Sequence, residues 1–273
     1  MVKKLFKHEY HFYLRIMAIV YAILLTMSVA TRLIMTFESD TQAYEIISGL
    51  TLFTYVVSIL ATFGFAFVLS IVRFYKNMFT AEGYLTNTLP VTAGQHIAVK
   101  AITAVSFTWL SAIMVILSVL IALPSELLRE IFAGFQYVGE GFQQLDDPTI
   151  AAHLIALVAE YFLLLVIAPF SGLLLYYSCI SIGQLFKKNR ILAAVGVYFA
   201  YYILAQIFTT IVTINLAFVA TSGYFYDIIM WIGEHPVAFM HIMMWAMIVL
   251  SAIFVLVEYF LIRWIITKKL NLE

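Results

Sequence analysis

Six long apolar runs, each bounded by charged residues or by proline, dominate the pattern of the chain. A bilayer core about 30 Å thick takes about 20 helical residues to cross. The runs at 16–37, 46–72, 101–123, 150–186, 191–222 and 236–264 are all long enough. Arg32 lies near the outer end of the first, where a long side chain can snorkel to the headgroups. Arg73 follows the second, Pro124 closes the third, and Glu160, Pro169 and Gly172 interrupt the fourth. The fifth carries no charge, and Glu258 falls near the end of the sixth, where pairing with Arg263 or snorkelling is expected. The fourth and fifth runs would reach about 50 Å as straight helices. Tilt, extension beyond the lipid or a second short helix must absorb the excess. In the fifth, Thr209, Thr210, Thr213 and Asn215 mark where a straight crossing ends. The remainder, through Tyr224 and Trp231, reads as a re-entrant or interfacial element before the sixth span, its aromatic content suited to the headgroup layer.

Composition agrees with that pattern. Of 273 residues 64% are apolar and 11% charged, with a mean hydropathy of +1.02. A soluble domain carries roughly 25% charged residues to wet its surface. The expected fold is therefore an all-α integral membrane protein, a single transmembrane domain over 1–273. The single cysteine, Cys179, excludes a disulfide within the chain. The basic start resembles a secretory leader, but its apolar run is too long and lacks a small-residue cleavage pattern, so it reads as a retained first span.

The net charge of zero conceals an asymmetry. Lys3, Lys4, Lys7 and Arg15 precede the first span, and Arg73, Lys76 and Lys100 lie between the second and third. Lys187, Lys188 and Arg190 lie between the fourth and fifth, and Arg263, Lys268 and Lys269 follow the sixth. Only Arg32 and Arg129 fall on the opposite side, beside Glu38, Asp40, Glu45, Glu126, Glu130, Glu140, Asp146, Asp147, Asp227 and Glu234. Basic residues are retained in the cytosol, so both termini are expected there.

Three segments carry more than hydropathy. In Val2–Arg15, Lys4, His8, His11 and Arg15 share one face at 100° per residue, with Phe6, Tyr10, Tyr13 and Met17 almost opposite. That pattern predicts an interfacial helix in the inner headgroup layer, rings toward lipid and cations toward phosphate. His8, Glu9 and His11 miss the H-E-x-x-H zinc spacing by one residue, so no metal site is expected. The inner segment Arg73–Lys100 is far longer than a connection needs. Thr92 and Gln95 form a capping-box pair there, two residues after Pro90. Its counterpart outside, Pro124–Thr149, reads as a loop. The third segment holds His153 and Glu160, seven residues apart and on one side of a helix, a candidate substrate or proton pathway. A pair with another helix or a position in water would satisfy the same residues.

Absences narrow the chemistry. The sequence has no G-x-x-x-x-G-K-[ST] phosphate loop, no G-x-S-x-G, no C-x-x-C and no histidine-rich cluster. ATP hydrolysis of the P-loop kind and the common hydrolase and redox chemistries lack their reacting groups, and no catalytic site is expected.

Arg73-Phe-Tyr-Lys-Asn, followed by Glu82-Gly-Tyr-Leu-Thr and Thr88-Leu-Pro-Val, resembles permease subunits of bacterial ATP-binding-cassette exporters of the ABC type-2 class, of the Gram-positive, clostridia-like kind. Leu5-Phe-Lys-His-Glu-Tyr, Ile180-Ser-Ile-Gly-Gln-Leu-Phe and Lys100 fit the same pattern. The resemblance implies six spans, the interfacial helix, a cytosolic coupling helix between spans two and three, and a re-entrant element before the sixth. It implies two permease copies or paralogues on separately encoded ATPase subunits, which would hold ATP and Mg, no cofactor in this chain, and the bacterial plasma membrane. Arg73, Tyr75, Lys76, Glu82, Gly83, Tyr84 and Pro90 are then the expected docking surface for the ATPase. The implied cargo is hydrophobic or amphipathic, a peptide of antimicrobial type foremost, with drug or lipid efflux as the alternative. A scaffold or sensor subunit and an ion-coupled carrier using Glu160 and His153 are the readings from other classes. No nucleic-acid partner is expected.

Overall fold

A computed structural model describes residues 1–37, 41–80, 83, 91–143, 148–220 and 223–269. It is all-helical among these residues, and six of its helices are long and apolar enough to cross a membrane. In chain order the elements are α1 (Val2–Thr36), α2 (Gln42–Phe79), α3 (Ala93–Ala122), α4 (Ser125–Gln143), α5 (Pro148–Gly183), α6 (Arg190–Ala220), α7 (Gly223–Glu234) and α8 (Pro236–Lys268). The contacts divide into two compact units, Met1–Asp147 and Pro148–Glu273.

In the first unit α1, α2 and α3 pack on one another. Lys100 on Glu9, Ser111 on Tyr21 and Leu123 on Arg32 are separated by 91, 90 and 91 residues, so α1 and α3 run parallel. Glu9 meets Arg73 and Asn77 while Leu24 clusters with Tyr55, so α2 runs antiparallel between them. One stripe of α1 is buried throughout: Glu9, Tyr13, Met17, Tyr21, Leu24, Ser28 and Thr31, at steps of three and four residues. Two tyrosine hydroxyls on this interface meet serines, Tyr21 with Ser111 at 2.9 Å and Tyr55 with Ser118 at 3.0 Å. Most other Ser and Thr hydroxyls bond back to a carbonyl three or four residues earlier, which satisfies them inside an apolar medium.

Two expectations change here. Val2–Arg15 is not a helix set apart in the interface but the first part of the continuous α1. Tyr13 and Met17 are buried, and the rings of Tyr10 and Tyr13 lie 4.9 and 5.2 Å from that of Phe107, so this aromatic face packs on α3 rather than on lipid. Lys4, His8, His11 and Arg15 are exposed on the opposite face, as the pattern required. The expected loop 124–149 is largely helix α4. Its apolar residues Leu127, Leu128, Ile131, Phe132, Phe135 and Val138 fall on one side at 100° per residue, away from Glu126, Arg129, Glu130 and Glu140.

In the second unit α5 packs on α8 and α6, and α7 on α6 and α8. Contacts between α5 and α8 join residues 88, 81 and 85 apart, so these two are parallel. Helix α6 runs antiparallel to α5, with Tyr176 stacked on Tyr198 at 5.3 Å. One crossing therefore separates α5 from α8. Helix α7, at 12 residues, reaches only about 18 Å and is too short to add another. Helix α5 continues through Pro169 without a break. The turn into α6 places Asn189 at a positive φ of 52°, a conformation asparagine tolerates better than most residues. Gly183 is tightly placed: a Cβ there would fall 2.6 Å from Ala194 Cβ and 2.7 Å from its backbone nitrogen. Only glycine lets α5 and α6 approach so closely.

Candidate functional sites

Among the described residues, each unit holds a cluster of hydrogen-bonded charged side chains. In the first, Glu9 sits 2% exposed on the buried stripe of α1 and collects three donors. Lys100 Nζ donates to its Oε1 at 2.8 Å, Asn77 Nδ2 to the same oxygen at 3.2 Å, and Arg73 Nε to Oε2 at 3.2 Å. The Arg73 guanidinium also lies over the Phe12 ring, 3.9 Å from its centroid. A buried carboxylate between two cations, with its oxygens satisfied, is the arrangement in which low polarity strengthens attraction enough to offset desolvation. His96, one turn before Lys100, is buried with neither ring nitrogen hydrogen-bonded.

This cluster ties the last turns of α2 and the first turns of α3 to α1. The segment between them thus has a fixed root at both ends. At its far end the expected capping box is present, Thr92 Oγ1 accepting from Gln95 N at 3.3 Å and Gln95 Oε1 accepting from Thr92 N at 3.1 Å. At its near end Gly83 N donates to Thr80 O at 2.7 Å, and a Cβ on Gly83 would meet the Met78 carbonyl oxygen at 2.7 Å. Of the residues expected to dock a partner, Lys76 is exposed, Tyr75 lies half-buried beside Phe79, and Arg73 is turned inward to Glu9. Glu82, Tyr84 and Pro90 lie outside the described residues. Glu9 was not singled out as a site from the sequence. A charged residue in phase with Tyr13, Met17 and Tyr21 was the available signal.

In the second unit the structure brings His153 and Glu160 together through a residue of α8. His241 Nδ1 lies 2.9 and 3.0 Å from the two Glu160 oxygens, and its Nε2 lies 3.2 Å from His153 Nδ1. Trp245 Nε1 donates to Glu160 Oε1 at 2.9 Å. The side chains of His241 and Glu160 are 19% and 11% exposed, whereas His153 is exposed. His241 and Trp245, four residues apart on α8, were legible only as one more histidine and one more aromatic in an apolar run. Among the described residues no cluster has the donors to hold a metal ion. Glu258 does not pair with Arg263, which is exposed; it is buried, with Oε2 unpartnered.

Fold and hydropathy together define a multi-pass, all-α membrane protein. Compared with models of known protein families, with curated proteins and with solved structures, the chain matches none.

Proposed function

We propose that this chain is the transmembrane permease subunit of an ATP-driven exporter of the ABC type-2 class. A separate ATPase subunit would bind ATP and Mg and dock on the segment between α2 and α3. The observation that carries the reading is the root of that segment. A lever transmits force only if its base is stiff, and Glu9, Arg73, Asn77 and Lys100 join its two ends to the first spanning helix. Closure of the ATPase against the segment would then move α1, α2 and α3 as one body and bias the subunit between inward- and outward-open states. The motif resemblance at Arg73-Phe-Tyr-Lys-Asn and Thr88-Leu-Pro-Val supports the same reading, as does the lack of any phosphate loop in the chain.

In this reading two permease copies or paralogues pair in a bacterial plasma membrane with their termini in the cytosol. Helix α7 supplies the re-entrant element, and the cargo is hydrophobic or amphipathic, a peptide foremost. Gentle detergent purification of the tagged chain from its native membrane, followed by mass spectrometry, tests it. An ATP-binding-cassette ATPase should copurify in stoichiometric amount, and its absence under conditions that preserve the chain's own oligomer would remove the proposal.

A further inference from the structure

Glu160, His241 and His153 admit a single neutral-imidazole tautomer arrangement that satisfies all three when the carboxylate is ionised. Ionised Glu160 only accepts, so His241 Nδ1 must carry a proton and its Nε2 must accept. His153 Nδ1 must then be the donor to that nitrogen, which leaves His153 Nε2 as an acceptor at the exposed end of the row. A proton arriving there can be passed along by three coupled steps. His153 gains an N–H at Nε2 and gives its Nδ1 proton to His241 Nε2. His241 gives its Nδ1 proton to Glu160 Oε2. In the product the acid O–H donates to His241 Nδ1, His241 Nε2–H donates to His153 Nδ1, and Glu160 Oε1 still accepts from Trp245. Each transfer breaks one bond to hydrogen and forms one. One hydrogen bond at each junction of the row survives with its direction reversed, while the second contact of His241 Nδ1, to Glu160 Oε1, is given up.

From this geometry we infer that the α5–α8 pair holds a one-proton store, loaded through His153 and ending on Glu160. Within its own unit, few other charged groups among the described residues lie near it. Helix α6 carries Arg190 alone among charged residues, at its first position, and its further titratable side chains are Tyr198, Tyr201 and Tyr202. Glu258, Arg263 and Lys268 lie more than four turns further along α8. On the neighbouring α7 side, Asp227, Glu234 and His235 make no hydrogen bond to the row among the described residues. The inference does not rest on the exporter reading, since loading needs neither ATP nor a partner.

The Trp245 indole reports on the acceptor it bonds. Its emission, taken as the difference between the intact chain and Trp245→Phe in lipid nanodiscs, should change in one step as the proton is loaded on acidification. Glu160→Gln, which mimics the loaded acid, should show the acid-state emission at every pH. His153→Ala should reach the same end point in a pH jump but roughly tenfold or more slowly, having lost its proton donor. A flat response in the intact chain, or an unchanged step in Glu160→Gln, would overturn the inference. The exposed His153 gives a second arm tolerant of folding: an unchanged loading rate in His153→Ala would refute the entry path.

Helix α4 carries a separate proposal: the geometry assigns its apolar face to the headgroup layer of the bilayer that α3 leaves. Phe132, Phe135 and Val138 are 61%, 70% and 61% exposed on that face. Only Leu123 and Pro124 separate α4 from the end of α3, and Arg32 bonds the Leu123 carbonyl to hold the corner. A helix tethered so closely to a spanning helix lies at the boundary, where an apolar face is covered by lipid. In a Cys179→Ala chain in nanodiscs, a spin label at position 135 should collide with oxygen and be shielded from a water-soluble nickel chelate, and one at position 130 should do the reverse. Equal water access at both, or strong coupling between labels at 135 that reports a second copy, would refute lipid as the occupant.

Discussion

Loss of the Glu9 carboxylate would remove the 2.8 Å ion pair of Lys100, 3% exposed, beside the buried stripe of α1. Removing one partner of a buried ion pair typically costs about 3–5 kcal/mol. Glu9→Ala should therefore lower the thermal unfolding midpoint of the purified protein strongly. The double variant Glu9→Leu with Lys100→Met should recover part of it, because the deeper of the two cations leaves with the carboxylate, while Arg73, 12% exposed, keeps its place over the Phe12 ring. Equal losses in the single and double variants would show that the cluster acts through something other than charge pairing. At this scale the sequence was only partly legible. Basic residues at 73 and 100 read as topology signals, and the acid that gathers them lies 64 and 91 residues away. No local pattern announces a partner so distant. The same holds for His241, whose role depends on the parallel packing of α5 and α8.

Among the elements, α5 and α6 depend on one absent side chain. Gly183→Val would drive carbon into the backbone of Ala194, and overpacking of this kind costs about 1–3 kcal/mol. The expected result is a reduced unfolding midpoint for Gly183→Val. Gly172→Ala, where a Cβ meets open space, should be near neutral. Parity between the two would contradict the close approach. The spanning helices were readable because hydrophobic length alone specifies them. The capping box at Thr92 was readable because its two partners are three residues apart. Helix α4 was missed because its glycines and scattered acids suggest a loop, while its periodicity appears only when residues 125–143 are taken as one helix. The separate interfacial helix failed for a related reason. Its amphipathic pattern was real, but Glu9 and Tyr13 need protein partners, and these draw the aromatic face onto α3.

For the whole molecule, the placement of basic residues predicts both termini on one side of the membrane and α4 on the other. Single cysteines introduced at positions 3 and 136 into a Cys179→Ala chain should react with a membrane-impermeant thiol reagent from opposite faces of sealed vesicles. Labelling of both from the same face would break the topology. The exporter proposal belongs to this scale as well, and it rests on the segment rooted at Glu9. Lys76, exposed on the last turn of α2, stands at that root. The most direct measurement is photo-crosslinking from a benzophenone side chain at position 76 in native membranes, with and without ATP. The predicted result is an adduct with an ATPase subunit whose yield changes with nucleotide. Adducts with lipid alone, insensitive to nucleotide, would contradict it.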